Sequence, residues 1–334
     1  MPRVLVAGMI HDSGLTLLKA EPDIELDHVE TLDPNALDPF LSKAEAILVR
    51  TQPITADVVA RCPALKIVSR HGVGYDSVDV AALTARSIPL TIVGDVIARS
   101  VAEHAMMLLL AASRRLPLYD AASRPGGDWG YRDSLAAREI SGKRLLIIGL
   151  GRIGRNLAAM ARGFGIEVWA YDPFLSGPPP ADVALIDDLG AALPDVDLIS
   201  LHAPKTERPI LGAAEVARLK SSAVVVNAAR GGAVDEAALA SALSEGRLQG
   251  VGLDVYSTEP PAADNPVIGL PEAVLTPHTA SMTQECAERM AVVAARNIVD
   301  CFNGRLNPDL VVNGEAIGLG GAPEGMQAGA RGAS

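Results

Sequence analysis

A glycine-rich turn joins an apolar strand pattern to a helical pattern near the middle of the chain. Leu145–Ile148 is a fully apolar run, Gly149–Gly154 (GLGRIG) follows it directly, and residues 153–162 continue with helical periodicity. A short, fully apolar strand bounded by glycine is typical of a parallel sheet that is covered on both faces. Glycine permits the tight turn and lets the helix approach the strand closely. The sequence therefore predicts a strand, a turn and a helix that form one parallel α/β unit.

The same alternation of strands and helices extends along most of the chain. Two series of short apolar strands, with helical patterns between them, predict two doubly wound parallel sheets of the α/β class. The predicted helices of the first series are Thr55–Arg61 and Val78–Arg86. The predicted strands of both series are Val4–Ala7, Ala46–Val49, Leu65–Val68, Leu90–Val93, Arg144–Ile148, Glu167–Tyr171, Leu198–Leu201, Ala223–Asn227, Gly250–Asp254 and Ala273–Leu275.

A long helical pattern separates the two series. Arg99–Arg115 has apolar residues on more than one side, and we predict Ser100 as its N-cap because Glu103 follows three residues later. Pro117–Gly142 is predicted to be mainly loop. Met282–Phe302 is predicted to be a helix that returns the chain to the first sheet.

The length of the chain favours two domains. A chain of 334 residues is too long for one ordinary core. We expect a flavodoxin-like domain formed by residues 1–98 and 282–313, with a Rossmann domain of residues 99–281 inserted into it. Residues 314–334 are rich in glycine and alanine, so we expect a disordered tail.

Composition excludes several classes of function. The formal net charge of −11 repels phosphate backbones and argues against nucleic-acid binding. The longest apolar runs, such as Ala105–Ala112, are far shorter than the ~20 residues that span a bilayer. The three cysteines lack zinc or disulfide spacing, and no histidine or acidic cluster has ligand spacing. No cleavage-like site follows the first apolar segment, so we expect a cytoplasmic protein. The short apolar runs and the lack of ligand spacing lead us to expect no membrane contact and no metal.

The glycine turn and the strand that follows it predict a dinucleotide site. A GxGxxG pattern alone is common, but here Gly151 lies at a helix start, where the absence of a side chain leaves room for a pyrophosphate. Glu167–Tyr171 ends at Asp172, whose carboxylate is placed to bind the ribose hydroxyls of NAD and to repel the 2′-phosphate of NADP. The alternative is a turn-forming aspartate before Pro173. The pattern favours NAD.

Three polar residues follow strands of the second predicted sheet. Arg230, Glu259 and His278 each lie a few residues beyond a predicted strand end. In an open α/β sheet, ligands bind beyond the carboxyl ends of the strands, so these side chains are candidates for a catalytic site. Taken singly, each has a plainer explanation, as a surface ion pair, a solvated loop charge or a turn residue.

The motifs at these positions resemble those of a known family. The sequence is similar to the D-isomer-specific 2-hydroxyacid dehydrogenases, which include 3-phosphoglycerate dehydrogenase, over about residues 1–312. The matching motifs are RHGVGYDSVD (Arg70–Asp79), SVAEH (Ser100–His104), GLGRIG (Gly149–Gly154), YDP (Tyr171–Pro173), LHAP (Leu201–Pro204), NAARGGAVDE (Asn227–Glu236), GLDVYSTEP (Gly252–Pro260) and PHTAS (Pro277–Ser281).

The resemblance implies an NAD-dependent oxidoreductase that interconverts a 2-keto acid and a D-2-hydroxy acid. His278 would exchange a proton with the substrate oxygen, and Glu259 would orient the imidazole and stabilise its protonated form. Arg230 would hold the substrate carboxylate. The residues that it implies for cofactor binding are Val101, Gly149, Gly151, Arg152, Ile153, Gly154, Asp172, His202, Pro204, Ala228 and Asp254. Those implied for substrate binding are Arg50, Val73, Gly74, Arg230 and His278, with the flavodoxin-like domain as the substrate domain.

The motifs leave the identity of the acid open. In the phosphoglycerate branch an arginine at the position of Arg50 helps to hold the distal phosphate, and an ordinary loop arginine is the alternative. The usual Pro-Gly-Asn is here Val93–Asp95 (VGD), and Ser77 replaces the more common asparagine. The expected substrate pairs are 3-phosphoglycerate with phosphohydroxypyruvate, the hydroxypyruvate or glyoxylate type, and the sulfolactate type. We expect a short form without an appended regulatory domain.

Two other functions stay open on the sequence alone. Formate dehydrogenase shares the architecture but has glutamine at the position of Glu259, which counts against it. An NAD(H)-sensing corepressor-like scaffold without turnover retains similar Arg, Glu and His residues, so only turnover distinguishes it from an enzyme. The resemblance also implies a homodimer, with Arg99–Arg115 and Pro117–Gly142 as the expected interface.

Overall fold

The structure, a computed structural model, describes residues 1–31 and 33–320. Its strands are β1 (Arg3–Ala7), β2 (Glu25–Val29), β3 (Ala46–Val49), β4 (Ile67–Arg70), β5 (Leu90–Thr91), β6 (Arg144–Ile148), β7 (Glu167–Tyr171), β8 (Val183–Leu185), β9 (Leu198–Leu201), β10 (Val224–Asn227), β11 (Gly250–Leu253) and β12 (Ala273–Leu275). Its α-helices are α1 (Asp12–Lys19), α2 (Asp38–Leu41), α3 (Ala56–Ala60), α4 (Val80–Ala85), α5 (Ala98–Ser113), α6 (Leu116–Ser123), α7 (Arg152–Gly163), α8 (Leu189–Ala192), α9 (Ala213–Val216), α10 (Glu236–Ser244), α11 (Gln284–Phe302) and α12 (Gly314–Ile317). Short 3-10 helices cover Pro34–Leu37, Trp129–Ser134, Leu193–Asp195 and Pro308–Leu310.

These elements divide between two compact units. The first unit contains Met1–Ile97 together with residues 282–320, and the second unit contains Ala98–Ser281. The chain therefore leaves the first unit before α5 and returns to it before α11.

The first unit contains a five-stranded, all-parallel sheet in the order β2-β1-β3-β4-β5. This order is the flavodoxin-like form of a doubly wound sheet. Leu5, Ile47 and Val68 are fully buried in one hydrophobic cluster on the sheet. On the helices, a Cβ at Gly14 of α1 would lie 2.8 Å from the carbonyl oxygen of Ala291 of α11. Glycine at this position therefore allows the two helices to pack in close contact.

The second unit contains a seven-stranded, all-parallel sheet in the order β12-β11-β10-β9-β6-β7-β8. The strand order reverses between β6 and β9, and open α/β sheets bind ligands at such a reversal. Helix α5 packs tightly on this sheet, since a Cβ at Gly252 of β11 would lie 2.9 Å from Cβ of Leu108. The turn after β6 thus lies at the ligand-binding position of a Rossmann sheet.

All ten predicted strands are confirmed. Five of them have the predicted bounds, and in the others each end differs by at most two residues. The prediction missed β2 and β8, which are the edge strands beside β1 and β7. An edge strand pairs on one side only and is less buried, so β2 (ELDHV) and β8 (VAL) have no long apolar run.

The prediction of Ser100 as a helix N-cap is wrong. Helix α5 begins at Ala98, so Ser100 is the third helical residue, and it is buried at 5% exposure. The capping pattern is a local rule, and here packing of the first turn determines where the helix starts.

No helix within residues 1–31 and 33–320 has the length and apolar character needed to cross a membrane.

Two expected loop regions contain helix. Within Pro117–Gly142, the chain continues α6 to Ser123 and forms a 3-10 turn at Trp129–Ser134. Pro117 fits because proline is tolerated in the first turn of a helix. Within the tail expected to be disordered, Gly314–Ile317 is helical, while residues 321–334 lie outside the described residues. Apolar periodicity predicts helices that are several turns long and bury one face. Helix α6 has no buried residue, and α12 is one turn long, so this rule does not detect them.

Candidate active site

The surroundings of the three glycines in the turn after β6 differ. Gly149 has φ +95°, and a Cβ there would lie 2.8 Å from the carbonyl carbon and oxygen of His202. A Cβ at Gly154 would lie 2.3 Å from the Gly149 carbonyl oxygen. Around the Cβ position of Gly151, by contrast, no described heavy atom lies within 4 Å. The turn therefore has open space beside the N-terminus of α7, where backbone amides and the helix dipole favour a phosphate.

Asp172 is held beside this turn by two backbone hydrogen bonds. Its Oδ2 accepts a bond of 2.9 Å from the Leu150 amide, and its Oδ1 accepts a bond of 3.0 Å from the Phe174 amide. The carboxylate thus forms the turn that is the alternative explanation for Asp172, and it is also fixed at the end of β7 next to Gly149–Gly154. Together, the glycine turn, the N-terminus of α7 and this acidic side chain fit a bound dinucleotide.

His202 follows β9 and is held in one orientation. Its Nε2 lies 2.9 Å from the Ser200 hydroxyl, and its buried Nδ1 has no hydrogen-bond partner among the described residues. Burial lowers the pKa of His202 to about 4, so the ring is neutral at pH 7. This histidine is therefore suited to a neutral contact and not to holding a charge.

The remaining residues predicted to bind the cofactor lie in the same unit. Val101 is buried in the first half of α5, Ala228 is buried directly after β10, and Pro204 is exposed after β9. Arg152 and Ile153 are the first two residues of α7. No contact in the structure tests their roles, which stay predictions.

His278 and Glu259 form a close pair. His278 Nδ1 lies 2.6 Å from Glu259 Oε2, and Glu259 Oε1 accepts a hydrogen bond of 3.1 Å from the Tyr256 amide. Their side chains are 56% and 36% exposed. Because the carboxylate binds Nδ1, the tautomer with the proton on Nδ1 is favoured, and Nε2 has no hydrogen-bond partner within the described chain. This is the arrangement of an imidazole oriented for proton exchange at Nε2.

The backbone of His278 adopts a conformation that is uncommon for a residue with a side chain. Its φ is +53°, in the left-handed region. The His278 amide donates to the Asp254 carbonyl oxygen over 2.8 Å. Non-glycine residues persist in this region where the surrounding structure fixes them, and such residues are concentrated at functional sites.

Asp254 fixes the same loop through its side chain. The residue is fully buried, and its carboxylate accepts bonds from the Thr276 hydroxyl (2.6 Å), the Thr279 amide (2.8 Å) and the Ala280 amide (2.9 Å). Burial by itself raises the pKa of Asp254, but hydrogen bonds from His104, Thr276 and the two amides outweigh it and lower the pKa to about 2. The carboxylate is thus charged at pH 7, and hydrogen-bond donors on both sides of His278 stabilise its charge.

Arg230 lies in a loop that packs on the segment leading to Glu259. The Asn227 amide group donates to the Arg230 carbonyl oxygen over 2.8 Å, which closes the loop. A Cβ at Gly231 would lie 1.6 Å from the Tyr256 carbonyl oxygen. The backbone beside Arg230 therefore touches the backbone three residues before Glu259, so the structure brings these two loops together.

Glu236 joins the same two loops and was missed by sequence reasoning. It is the first residue of α10 and is only 8% exposed. Its Oε1 accepts a bond of 2.6 Å from the Ser257 amide, and its Oε2 accepts from the Asn265 side chain. A carboxylate is rarely buried without such partners. The sequence NAARGGAVDE does contain a signal for this residue, because a second acid, Glu236, directly follows Asp235, the N-cap of α10.

Three of the residues predicted to bind substrate, Arg50, Val73 and Gly74, lie in the first unit, after the carboxyl ends of β3 and β4. Arg50 donates to the Met9 carbonyl oxygen over 3.2 Å and lies 3.8 Å from Met282 Sδ. Val73 and Gly74 follow β4 in the loop that leads to α4. Burial lowers the pKa of His71 to about 4, with Arg70 and Arg50 adding to the shift. This edge of the sheet therefore holds two arginines and a neutral histidine.

The fold and the site define a dinucleotide-binding α/β protein with a histidine–carboxylate pair at the edge of its nucleotide-binding sheet. The family model described as "D-isomer specific 2-hydroxyacid dehydrogenase, NAD binding domain" matches residues 106–280. The chain belongs to the D-isomer specific 2-hydroxyacid dehydrogenase family, and its cofactor is NAD.

Individual relatives agree with this assignment. The chain is 39% identical over 324 residues to D-3-phosphoglycerate dehydrogenase of Mycobacterium tuberculosis H37Rv, covering 95% of this chain and 60% of the relative. It is 34% identical to glyoxylate reductase of Korarchaeum cryptofilum, covering 98% of this chain and 99% of that protein. The structure of NAD-dependent formate dehydrogenase from Staphylococcus aureus with NAD matches with a TM-score of 0.82 and 27% identity, covering 93% of this chain and 98% of the other. The chain thus spans about 60% of the length of the phosphoglycerate dehydrogenases that it matches.

Proposed function

We propose that this protein is an NAD-dependent oxidoreductase that interconverts a 2-keto acid and a D-2-hydroxy acid by hydride transfer. The observation that carries the proposal is the 2.6 Å contact between His278 and Glu259, in loops at the carboxyl edge of the sheet that holds the glycine turn. Relatives named D-3-phosphoglycerate dehydrogenase and glyoxylate reductase support the class of substrate.

The proton step is assigned to His278. In the direction of reduction, protonated His278 donates from Nε2 to the substrate oxygen, and in oxidation the neutral ring accepts that proton. Glu259 holds Nδ1 and stabilises the imidazolium form during the exchange. The cofactor, when bound, would supply the hydride as NADH in reduction and accept it as NAD⁺ in oxidation.

The other roles follow the family motifs. Arg230 binds the substrate carboxylate through its planar guanidinium and polarises the carbonyl group. The second unit, as the NAD-binding domain, holds the cofactor through the turn, the end of β7 and the loops after β9, β10 and β11. The proposed cofactor residues are Val101, Gly149, Gly151, Arg152, Ile153, Gly154, Asp172, His202, Pro204, Ala228 and Asp254.

The first unit is proposed as the substrate domain, with an acid that bears a second negative charge as its substrate. Arg50 would hold that distal group, and the Val73 and Gly74 amides would bind the carboxylate. The support is the placement of Arg50 and Arg70 at adjacent strand ends, near enough to His71 to lower its pKa. In a chain of net charge −11, such a local pair of cations is what an anionic substrate requires.

The proposal is tested by NADH oxidation with glyoxylate, hydroxypyruvate, phosphohydroxypyruvate, pyruvate and sulfopyruvate. We expect the highest kcat/KM with a doubly charged acid. Arg50→Ala should raise the KM for that acid by about 10- to 100-fold, since a charge-assisted contact is lost, and should change the KM for glyoxylate by only about twofold. Arg61→Ala, which removes an exposed arginine of the same unit, is the control. Equal effects on both acids would refute the role of Arg50, and failure to reduce any keto acid would refute the proposed function.

We also propose that the protein is a homodimer that uses the segment from α5 to residue 135. Leu116, Trp129 and Leu135 in this segment are 54%, 66% and 87% exposed. Large exposed apolar side chains are candidates for an interaction surface, and a twofold dimer would cover the same side chains on both copies. Sedimentation velocity should give twice the chain mass, and the double variant Trp129→Ser/Leu135→Ser should give one chain mass. Phe164→Ser, an exposed apolar residue after α7, should stay dimeric. A monomeric wild type contradicts the proposal.

A further inference from the structure

His104 makes polar contacts that the roles assigned so far do not explain. It lies on α5, and its side chain is 15% exposed. Its Nε2 lies 2.9 Å from Thr276 Oγ1 and 3.4 Å from Asp254 Oδ1. A helix that packs against the sheet thus reaches the loop that carries His278.

The hydrogen bonds in this group have one consistent direction. A charged carboxylate only accepts, so the Thr276 hydroxyl donates to Asp254 Oδ1 over 2.6 Å. The Thr276 oxygen then accepts from Nε2–H of His104. The result is a chain of donors from α5 through Thr276 to the buried charge of Asp254.

The chain ends on the groups that hold the His278 backbone. Asp254 accepts the Thr279 and Ala280 amides with its side chain and the His278 amide with its carbonyl oxygen. Because His278 is in the left-handed region, its position depends on these bonds. A loop that relaxed by about 1 Å would move the imidazole away from its working position.

We propose that His104 and Thr276 are positioning residues for the catalytic histidine. By fixing the Asp254 carboxylate, they hold the loop of residues 276–280 so that His278 stays paired with Glu259. Neither residue is assigned a contact with the reacting atoms, and both act through Asp254. The assignment rests on the proposed function for the role of His278.

A matched pair of variants at Thr276 tests the proposal. Thr276→Val keeps the shape of the side chain but removes the hydroxyl, and Thr276→Ser keeps the hydroxyl but removes the methyl group. We expect Thr276→Val to lower kcat by about 10- to 100-fold, with the affinity for NADH and the KM for the keto acid within about twofold of the wild type. Thr276→Ser should retain kcat within about threefold. A role in packing alone predicts the reverse order.

A second pair covers the case in which Thr276→Val does not fold. His104→Gln retains an N–H donor that can reach Thr276, and His104→Leu removes it. We expect His104→Leu to lose most of kcat and His104→Gln to recover a large part of it. Equal kcat in the two variants would overturn the role of His104.

A measurement without turnover separates this proposal from the proposed function. In histidine labelled with 13C at Cε1, the His278 signal is assigned by its disappearance in His278→Ala. We expect one sharp signal in the wild type and in Thr276→Ser, and a broadened or doubled signal in Thr276→Val. If Thr276→Val has a wild-type signal and kcat, the proposal is wrong. If the wild type reduces no keto acid, the proposed function fails, and the NMR comparison still decides whether Thr276 fixes His278.

Discussion

His278→Gln is expected to lower kcat by about 10²- to 10⁴-fold, while the affinity for NADH changes by no more than about twofold. Glutamine has no group that can exchange a proton near neutral pH, so the substrate oxygen loses its acid and base. The side chain lies outside the glycine turn and Asp172, so the binding of the dinucleotide should persist. Steady-state reduction of the preferred keto acid gives kcat, and quenching of protein fluorescence by NADH gives the affinity.

Glu259→Gln refines this expectation. Glutamine can still accept the Nδ1–H bond of His278, but it has no charge to stabilise the imidazolium form. The expected loss in kcat is therefore smaller, at about 10- to 100-fold, because orientation is retained and the charge is removed. Thr258→Ala, an exposed neighbour in the same loop, is the control and should keep wild-type kcat. Turnover retained in His278→Gln would end the assignment of the proton step, and a loss of NADH affinity would point to a cofactor contact.

The parts of the site that the sequence predicts are those that depend on local rules. The Gly149–Gly154 turn needs only a strand, a helix and three glycines, and the structure has close backbone approaches at Gly149 and Gly154 and open space at Gly151. Arg230, Glu259 and His278 are predicted because polar residues that follow parallel strands meet at one edge of the sheet, and the His278–Glu259 contact agrees with that expectation. Short-range pattern and sheet topology are sufficient for these features.

The supporting contacts could not be predicted in the same way. His104, Asp254 and Thr276 are separated by 150 and 22 positions, and nothing in the local sequence says that a histidine of α5 meets a threonine after β12. Glu236 is similar, because its partners Ser257 and Asn265 come from another loop. Such contacts depend on how α5 and α10 pack on the sheet, and that packing is a property of the tertiary structure. The motifs SVAEH and NAARGGAVDE contain these residues without showing what they contact.

Gly231→Ala is expected to have a large effect although it leaves all polar groups in place. The added Cβ would lie 1.6 Å from the Tyr256 carbonyl oxygen and 2.3 Å from its carbonyl carbon. Backbone atoms cannot rotate away as a side chain can, so the loop that carries Arg230 or the segment that leads to Glu259 must shift. Overpacking of this kind costs about 1–3 kcal/mol in the free energy of unfolding. A displacement of about 1 Å between the two loops should also lower kcat/KM by about 100-fold.

Gly269→Ala is the matched control, since within residues 1–31 and 33–320 no heavy atom lies within 4 Å of its Cβ position. Urea unfolding gives the free energies, and kcat/KM is measured where both variants are folded. At 10 °C, where the variant is folded, Gly231→Ala should still have a lowered kcat/KM. The reason is that the displaced loop geometry, and not the folded fraction, limits turnover. A Gly231→Ala variant that matches Gly269→Ala in both measurements would show that the Arg230 loop does not rest on Tyr256. The site would then have to align Arg230 by another route, with Glu236 as its remaining link to the Glu259 segment.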